Sequence, residues 1–213
     1  MPIAVTGLTK RFGGKVVLDR FTYAFPETGA VALMGPSGVG KTTLFRILLG
    51  LERPDSGTVS GMDGKSVSVV FQEDRLFPGL TVLQNAEVAG SGGAEWLARL
   101  GLGEELNARP DSLSGGMRRR VALARALCRD GEIFLLDEPF QGLDPARKRE
   151  VLELFRELKS RKFLLLITHD PEEAAFLADE VIQLGPGGKN LPIQPPVDKK
   201  SRAIGGCQPD FLL

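Results

Sequence analysis

The chain has 213 residues, of which 42% are hydrophobic and 25% are charged, as in an ordinary globular domain. Lys plus Arg and Asp plus Glu number 27 each, so the net charge is zero and provides no general attraction to nucleic acid or to an acidic membrane surface. Any contact with a membrane would therefore go through another protein.

Two further features bear on the compartment. The first ten residues lack the charged start and apolar stretch of a signal peptide, and no apolar run approaches the ~18 residues of a membrane-spanning helix. Cys128 and Cys207 have neither metal nor redox spacing, and we expect Cys128 to be a small buried hydrophobe. The sequence therefore predicts a soluble, cytoplasmic chain.

The first third of the chain predicts two strands around a Gly-Gly turn, a short buried strand, a helix and another buried strand. In chain order these segments are residues 3–8, 16–25, 30–34, 41–49 and 67–71. The first two strands predict an N-terminal antiparallel part. The glycine-rich stretch between the third strand and the helix is the first candidate site.

The rest of the chain alternates helices with continuous apolar runs, which are typical of parallel strands covered on both faces. Helices are predicted at 94–102 and 121–128, strands at 133–136 and 163–168, and between these strands a helix with Asp144 as N-cap and Pro145 as first residue. The fold class is thus α/β with a largely parallel sheet. Residues 72–112 interrupt the alternation and predict a small helical subdomain.

The first motif matches the phosphate-binding loop in full and lies between a strand and a helix, as that loop requires. Its residues are Gly35, Pro36, Ser37, Gly38, Val39, Gly40, Lys41, Thr42 and Thr43. Glycines let backbone N–H groups wrap a phosphate, and the helix start favours the anion. Lys41 is expected to reach the β- and γ-phosphates of a nucleotide, and the Thr42 hydroxyl to ligate Mg²⁺.

The second motif is the acidic end of the strand at 133–136. Asp137 and Glu138 would lie at the carboxyl edge of the sheet, where ligands bind in open α/β folds. Asp137 is expected to hold Mg²⁺, and Glu138 to polarise the attacking water as general base. Strands often end in acidic residues, so the motif gains its meaning from the phosphate-binding loop upstream.

The third motif is a serine and two glycines ahead of a helix, at Leu113, Ser114, Gly115, Gly116 and Met117. Ser114 is placed as an N-cap, which predicts a second anion-binding helix start. An isolated Ser-Gly-Gly is usually a loop. Because one chain needs only one phosphate clamp, we expect this one to serve the nucleotide of another subunit.

Together these motifs resemble the ATP-binding subunits of ABC transporters, with residues 113–117 as the signature motif. The resemblance covers about residues 3–185. It implies a P-loop NTPase core within a domain at 1–185, with a helical subdomain at 72–128 that includes the signature, and a Gly-, Pro- and Lys-rich tail at 186–213. We expect the tail to be weakly ordered, with a docked terminal strand as the alternative.

The resemblance assigns four more positions. Gln72 resembles the Q-loop glutamine that ligates Mg²⁺ and water, and Asp144 the D-loop residue that contacts the opposite subunit. His169 resembles the switch histidine that contacts the γ-phosphate. Phe12 takes the place of an aromatic that stacks on adenine, with packing as the alternative. Residues 118–120 are three arginines, expected to form a solvated helix face, and Arg119 replaces a frequent glutamine.

The resemblance also implies partners. The segment after Gln72 is similar to that of nitrate, sulfonate and taurine importer ATPases, although Gly79 replaces their tryptophan. A second ATPase subunit, integral membrane permease subunits and, indirectly, a substrate-binding protein are expected, on the inner face of the cell membrane and without nucleic acid. The alternatives are a soluble ABC ATPase and an unrelated P-loop kinase or GTPase; the last would need an Asn-Lys-x-Asp motif, which is absent.

Overall fold

The computed structural model describes residues 2–189, so most of the predicted tail at 186–213, including Cys207, lies outside the described residues. Two sheets and six α-helices are arranged along the described chain. The strands are β1 Ala4–Phe12, β2 Lys15–Ala24, β3 Gly29–Met34, β4 Ser56–Ser60, β5 Val67–Val70, β6 Ile133–Asp137, β7 Phe163–Ile167 and β8 Glu180–Gln183. The helices are α1 Lys41–Leu48, α2 Val82–Glu87, α3 Gly93–Arg99, α4 Gly115–Arg129, α5 Pro145–Leu158 and α6 Pro171–Leu177.

A five-stranded parallel sheet forms the centre, in the order β5-β6-β7-β3-β8. Strands β6 and β7 are buried along their full length, which explains their uninterrupted apolar sequences. Asp137 lies opposite Ile167 in the register, so the carboxyl ends of β6 and β7 meet at one edge. The predicted α/β class with a parallel sheet is confirmed.

A second, antiparallel sheet in the order β2-β1-β4 covers one face of this core. Strands β1 and β2 match the predicted N-terminal antiparallel part. Strands β4 and β8 were not predicted, because β4 is a mostly exposed Ser-Gly-Thr-Val-Ser edge strand and β8 has only four residues. Neither carries a hydrophobic pattern long enough to indicate a strand.

Alternate side chains of β6 and β7 enter two separate cores. Phe134 and Leu136 pack with the helices of the 82–158 region, whereas Ile133 and Leu135 pack with α1 and the antiparallel sheet. Cys128 is 7% exposed within the first core, as expected for a small hydrophobe. No helix among residues 2–189 is both long and apolar enough to cross a membrane.

Candidate nucleotide-binding site

The loop between β3 and α1 depends on glycines at two positions. Gly35 has a φ of 142° and Gly40 a φ of 117°, which side-chain-bearing residues rarely adopt. A Cβ on Gly35 would lie 2.5 Å from the Leu184 carbonyl oxygen, and one on Gly40 would lie 2.6 Å from that of Val17. The loop can therefore pass this close to its neighbours only with glycine at both positions.

Lys41 is held at the mouth of this loop. Its ammonium group donates to the carbonyl oxygens of Gly35, at 2.7 Å, and Pro36, at 3.0 Å. Within the part of the chain that the structure describes, no side chain caps the start of α1, and the first turn of this helix contains no acidic residue. The loop thus offers a positive charge and a helix N-terminus to an anion.

Asp137 and Thr42 come together although they are 95 residues apart, because β6 and α1 both meet the same edge of the sheet. Thr42 Oγ1 donates to Asp137 Oδ2 at 3.3 Å. Burial raises the pKa of Asp137 to about 6, and the Thr42 hydrogen bond opposes part of that rise. A hydroxyl and a carboxylate are oxygen ligands of the kind that Mg²⁺ prefers, so the residues present fit this ion.

Glu138 and His169 form the next pair at this edge. Glu138 continues the β6–β7 ladder by donating its N–H to the Ile167 carbonyl, and its φ of 49° is unusual for a residue other than glycine. His169 Nδ1 lies 2.9 Å from Glu138 Oε2, and since the carboxylate accepts, Nδ1 carries the hydrogen. This hydrogen bond raises the pKa of His169 above its ordinary value.

The backbone on both sides of His169 is held by hydrogen bonds and ion pairs with α5 and α6. Thr168 is fully buried and its hydroxyl donates to Glu173 at 2.5 Å, while Lys148 of α5 pairs with both Glu173 and Asp170. Asp170 also caps α6 by accepting from the N–H of Glu172. Charged side chains of α5 and α6 therefore fix the backbone from which the exposed His169 ring projects.

A cavity of about 210 Å³ opens beside Thr42 and Asp137. The end of β5 and the following segment form its far wall, with Phe71, Gln72 and Glu73 among the lining residues. The Gln72 side chain is exposed, and it shares this cavity with the proposed ligands of the cation. The structure thus brings Gln72, Thr42 and Asp137 together, as the sequence predicted for a shared site.

The Ser-Gly-Gly segment begins α4 as predicted. Ser114 is the N-cap, and its hydroxyl accepts from the Met117 N–H at 3.2 Å. Leu113 is buried, whereas Ser114 and Gly115 are exposed. A Cβ on Gly116 would come within 2.8 Å of the Gly142 carbonyl, so this helix start packs closely against the loop that leads to Asp144. None of residues 113–117 lines the cavity at Thr42.

A family comparison accounts for this arrangement: the model of the ABC transporter family matches residues 18–141. The chain belongs to this family. As an ABC ATP-binding domain, it binds and hydrolyses ATP. Among similar proteins, the aliphatic sulfonates import ATP-binding protein SsuB 3 of Paraburkholderia xenovorans is 41% identical over 92% of this chain and 81% of that protein. The aliphatic sulfonates import ATP-binding protein SsuB 3 of Rhodococcus jostii is 42% identical over 88% of this chain and 73% of that protein.

Solved ABC cassettes have the same fold. The dimeric structure of MJ0796, a bacterial ABC transporter cassette, has a TM-score of 0.83 and 29% identity, and the match covers 92% of this chain and 99% of that one. The post-hydrolysis dimer of MJ0796 bound to ADP and Pi has a TM-score of 0.82 and 28% identity, with the same coverage. The predicted fold and ATPase activity are therefore confirmed.

One expectation about this ABC ATPase was wrong: the arginines at 118–120 do not form a solvated face. Arg119 is only 3% exposed and donates to the carbonyls of Phe71 and Gln72, and Arg120 donates to those of Leu100 and Gly101. Burial lowers the pKa of both guanidinium groups. The only sequence signal for Arg119 was its replacement of a glutamine frequent in the family.

The structure also locates the remaining predicted residues. Phe12 is 48% exposed at the end of β1, with the Lys10 ammonium 5.1 Å from its ring centre. Lys10 itself is fixed by Glu52 and by the Arg53 carbonyl. Because Phe12 is about half exposed, its ring is accessible to a stacking partner. Asp144 caps α5 by accepting from the Arg147 N–H at 3.1 Å.

Proposed function

We propose that this chain is the ATP-hydrolysing subunit of a bacterial importer for aliphatic sulfonates or similar small oxyanions. The observation that carries the proposal is the identity of 40–43% with proteins named as aliphatic sulfonate import ATP-binding proteins, which extends over most of the chain. The residues at the carboxyl edge of the parallel sheet, Thr42, Asp137, Glu138 and His169, supply the groups for ATP hydrolysis. The tail at 186–213 is proposed to lie outside the ATPase domain at 1–185.

In the proposed mechanism the adenine stacks on Phe12, and the phosphates lie in the loop of residues 35–43 with Lys41 against the β- and γ-phosphates. Thr42, Asp137 and Gln72 would hold Mg²⁺, which when bound would offset phosphate charge. Glu138 takes the proton of the attacking water, and His169, hydrogen-bonded to Glu138, contacts the γ-phosphate. The positive φ of Glu138 turns its side chain to a position that regular strand geometry does not give.

We further propose that two copies close around two ATP molecules. Residues 113–117 of one subunit would clamp the nucleotide held by the phosphate-binding loop of the other. Asp144, in the loop that Gly116 contacts, would face the second subunit as well. The dimeric MJ0796 cassettes, at 28% and 29% identity, support this arrangement.

The proposed site for the permease is a groove beside the Q-loop segment. It measures about 380 Å³ and is lined by apolar side chains that include Phe77 and Val88, which are 49% and 51% exposed. Arg75, Arg125 and Arg129 also line the groove. An amphipathic helix of the permease with acidic residues beside its apolar face fits this combination. Leu76, the residue before Phe77, is partly buried and packs against the core of the helical region.

Phe77→Asp tests the proposed function. The variant should fold and hydrolyse ATP, since Phe77 is exposed and does not line the cavity at Thr42, but it should lose association with the permease and sulfonate uptake. The assay is co-purification from membranes together with uptake in cells. The control is Ser60→Asp, which places the same charge on the exposed edge strand β4. Normal association of the Phe77 variant would exclude this groove, and wild-type chain that never co-purifies with a membrane protein would contradict transport.

A further inference from the structure

Arg119 holds the backbone on which Gln72 is mounted. Its NH1 and NH2 groups donate to the Phe71 carbonyl at 2.7 Å and the Gln72 carbonyl at 2.6 Å, and NH1 also lies 3.2 Å from Asp74 Oδ1. Arg119 as a whole is only 3% exposed, so bulk water does not compete for these hydrogen bonds. Two parallel donors on one planar group fix the orientation of two successive carbonyls.

This stretch of backbone has little other regular structure to hold it. Strand β5 ends at Val70, opposite Leu136 of β6, so Phe71 and Gln72 lie just beyond the ladder. Their carbonyl oxygens accept from Arg119 instead of from a neighbouring strand. The Arg119 guanidinium bonds to both carbonyls. It thereby takes the place of strand pairing at Gln72, the residue that lines the cavity at Thr42.

The other end of the contact lies on the signature helix. Arg119 is five residues after the N-cap Ser114 in α4, a helix of 15 residues and so about 22 Å long. Because one rigid helix carries both Ser114 and Arg119, the distance between them is fixed. The Q-loop backbone is thereby tied to the segment proposed to clamp the neighbouring subunit's nucleotide.

A second arginine of α4 makes a similar contact with a different segment. Arg120 donates to the carbonyls of Leu100, at 2.7 Å, and Gly101, at 3.1 Å. It thus matches Arg119 in the number of carbonyls bound and in the helix that carries it. It differs in that its bonds fall at the end of α3, and it lines neither the cavity at Thr42 nor the groove proposed for the permease.

We propose that Arg119 is a positioning residue for ATP hydrolysis, which acts through Gln72 by fixing that residue's backbone against the signature helix. The inference rests on the role proposed above for Gln72 at the γ-phosphate and cation. Removing the guanidinium leaves the phosphate-binding loop intact, so substrate binding is retained. The defect falls on the step that requires Gln72 to be in place.

The test is a double-mutant cycle on the full chain with Arg119→Met and Gln72→Ala, measured as steady-state ATP hydrolysis. Arg119→Met should lower kcat on the order of 10–100-fold, the usual effect of losing a group that orients a ligand, with KM for ATP nearly unchanged. Adding Arg119→Met to Gln72→Ala should cost less than about twofold more, because residues that act through each other are not additive.

Arg120→Met is the matched control, since it removes the hydrogen bonds of the same helix to the Leu100 and Gly101 carbonyls but none at Gln72. It should keep kcat within about twofold of the wild type while its melting temperature falls as much as that of Arg119→Met. Arg119→Lys keeps the charge but donates from a single nitrogen and cannot reproduce the two parallel hydrogen bonds, so its kcat should stay low. If Arg119→Met does not fold, Arg119→Lys and Arg120→Lys are compared in the same way.

Equal kcat values for the Arg119 and Arg120 variants, full activity of Arg119→Lys, or additive losses in the cycle would each overturn the inference, because the arginine would then act through stability, charge or another group. If Gln72→Ala itself hydrolyses ATP normally, the role proposed for Gln72 fails instead. The two failures are therefore distinguished within one set of measurements.

Discussion

The edge of the parallel sheet and the start of α4 differ in how many interacting side chains each region brings together within one chain. At the sheet edge the side chains bond to one another across the sequence, as in the Thr42–Asp137 pair and the Glu138–His169 pair, which are 95 and 31 residues apart. At the start of α4 the Ser114 side chain bonds, among residues 2–189, only within its own helix, to the Met117 N–H. The first region has the chemical groups of a hydrolytic site, and the second has only a binding surface.

This difference indicates that the two regions have different roles in the proposed dimer. Groups that must hold a proton, a cation and a phosphate at fixed distances are built on adjacent strands of a rigid sheet, where their geometry is set by the register. The exposed helix start is carried by the region between α2 and α4, which is joined to the sheet through the Q-loop segment. Substitutions in the two regions should accordingly produce different defects.

The largest effect is expected for Lys41→Ala at the sheet edge, because loss of MgATP binding also prevents every later step. Two charge-assisted contacts to phosphate, at about 1.5–3 kcal/mol each, correspond to a loss of MgATP affinity on the order of 10²–10⁴-fold. Titration calorimetry on the full chain measures this, with Lys189→Ala, an exposed lysine elsewhere, as the control. Unchanged affinity in the Lys41 variant would contradict the assignment of the phosphate-binding loop.

Glu138→Gln should separate binding from chemistry within the same region. The amide cannot accept the proton of water, so hydrolysis should fall on the order of 10²–10⁴-fold while MgATP still binds. Single-turnover hydrolysis and equilibrium binding are the measurements, and Glu157→Gln, at an exposed site on α5, is the control. Near-normal turnover would assign the base elsewhere, with His169 as the next candidate.

The smallest effect is expected at Asp144, between the two regions. Its side chain accepts from the Arg147 N–H, so Asp144→Ala should lower the free energy of unfolding by about 1 kcal/mol, the usual cost of losing an N-cap. Asp144→Asn can cap equally well and should remain near wild-type stability. Urea unfolding distinguishes the two, and equal stability of the Ala variant would show that the cap contributes nothing.

The sheet edge was predictable from the sequence, because fully buried parallel strands carry uninterrupted apolar runs and the residues that follow them are brought to one edge. The cap at Ser114 was predictable for a similar local reason. The contact of Arg119 with Phe71 and Gln72, 48 and 47 residues away, was not predictable. Three successive arginines have the same local pattern whether they face water or backbone carbonyls, so only the packing of α4 against the end of β5 reveals the difference.

The claim that the helix start acts on the neighbouring subunit's nucleotide can be tested with one mixture. Ser114→Arg and Lys41→Ala should each be inactive alone, the first with MgATP binding to the monomer intact. In a mixed dimer one composite site pairs an unaltered phosphate-binding loop with an unaltered signature, while the other site carries both defects. ATP hydrolysis by the mixture should therefore rise well above the sum of the separate variants. A mixture no more active than that sum, together with loss of MgATP binding by the Ser114→Arg monomer, would contradict the account, since the signature would then act on its own chain's nucleotide.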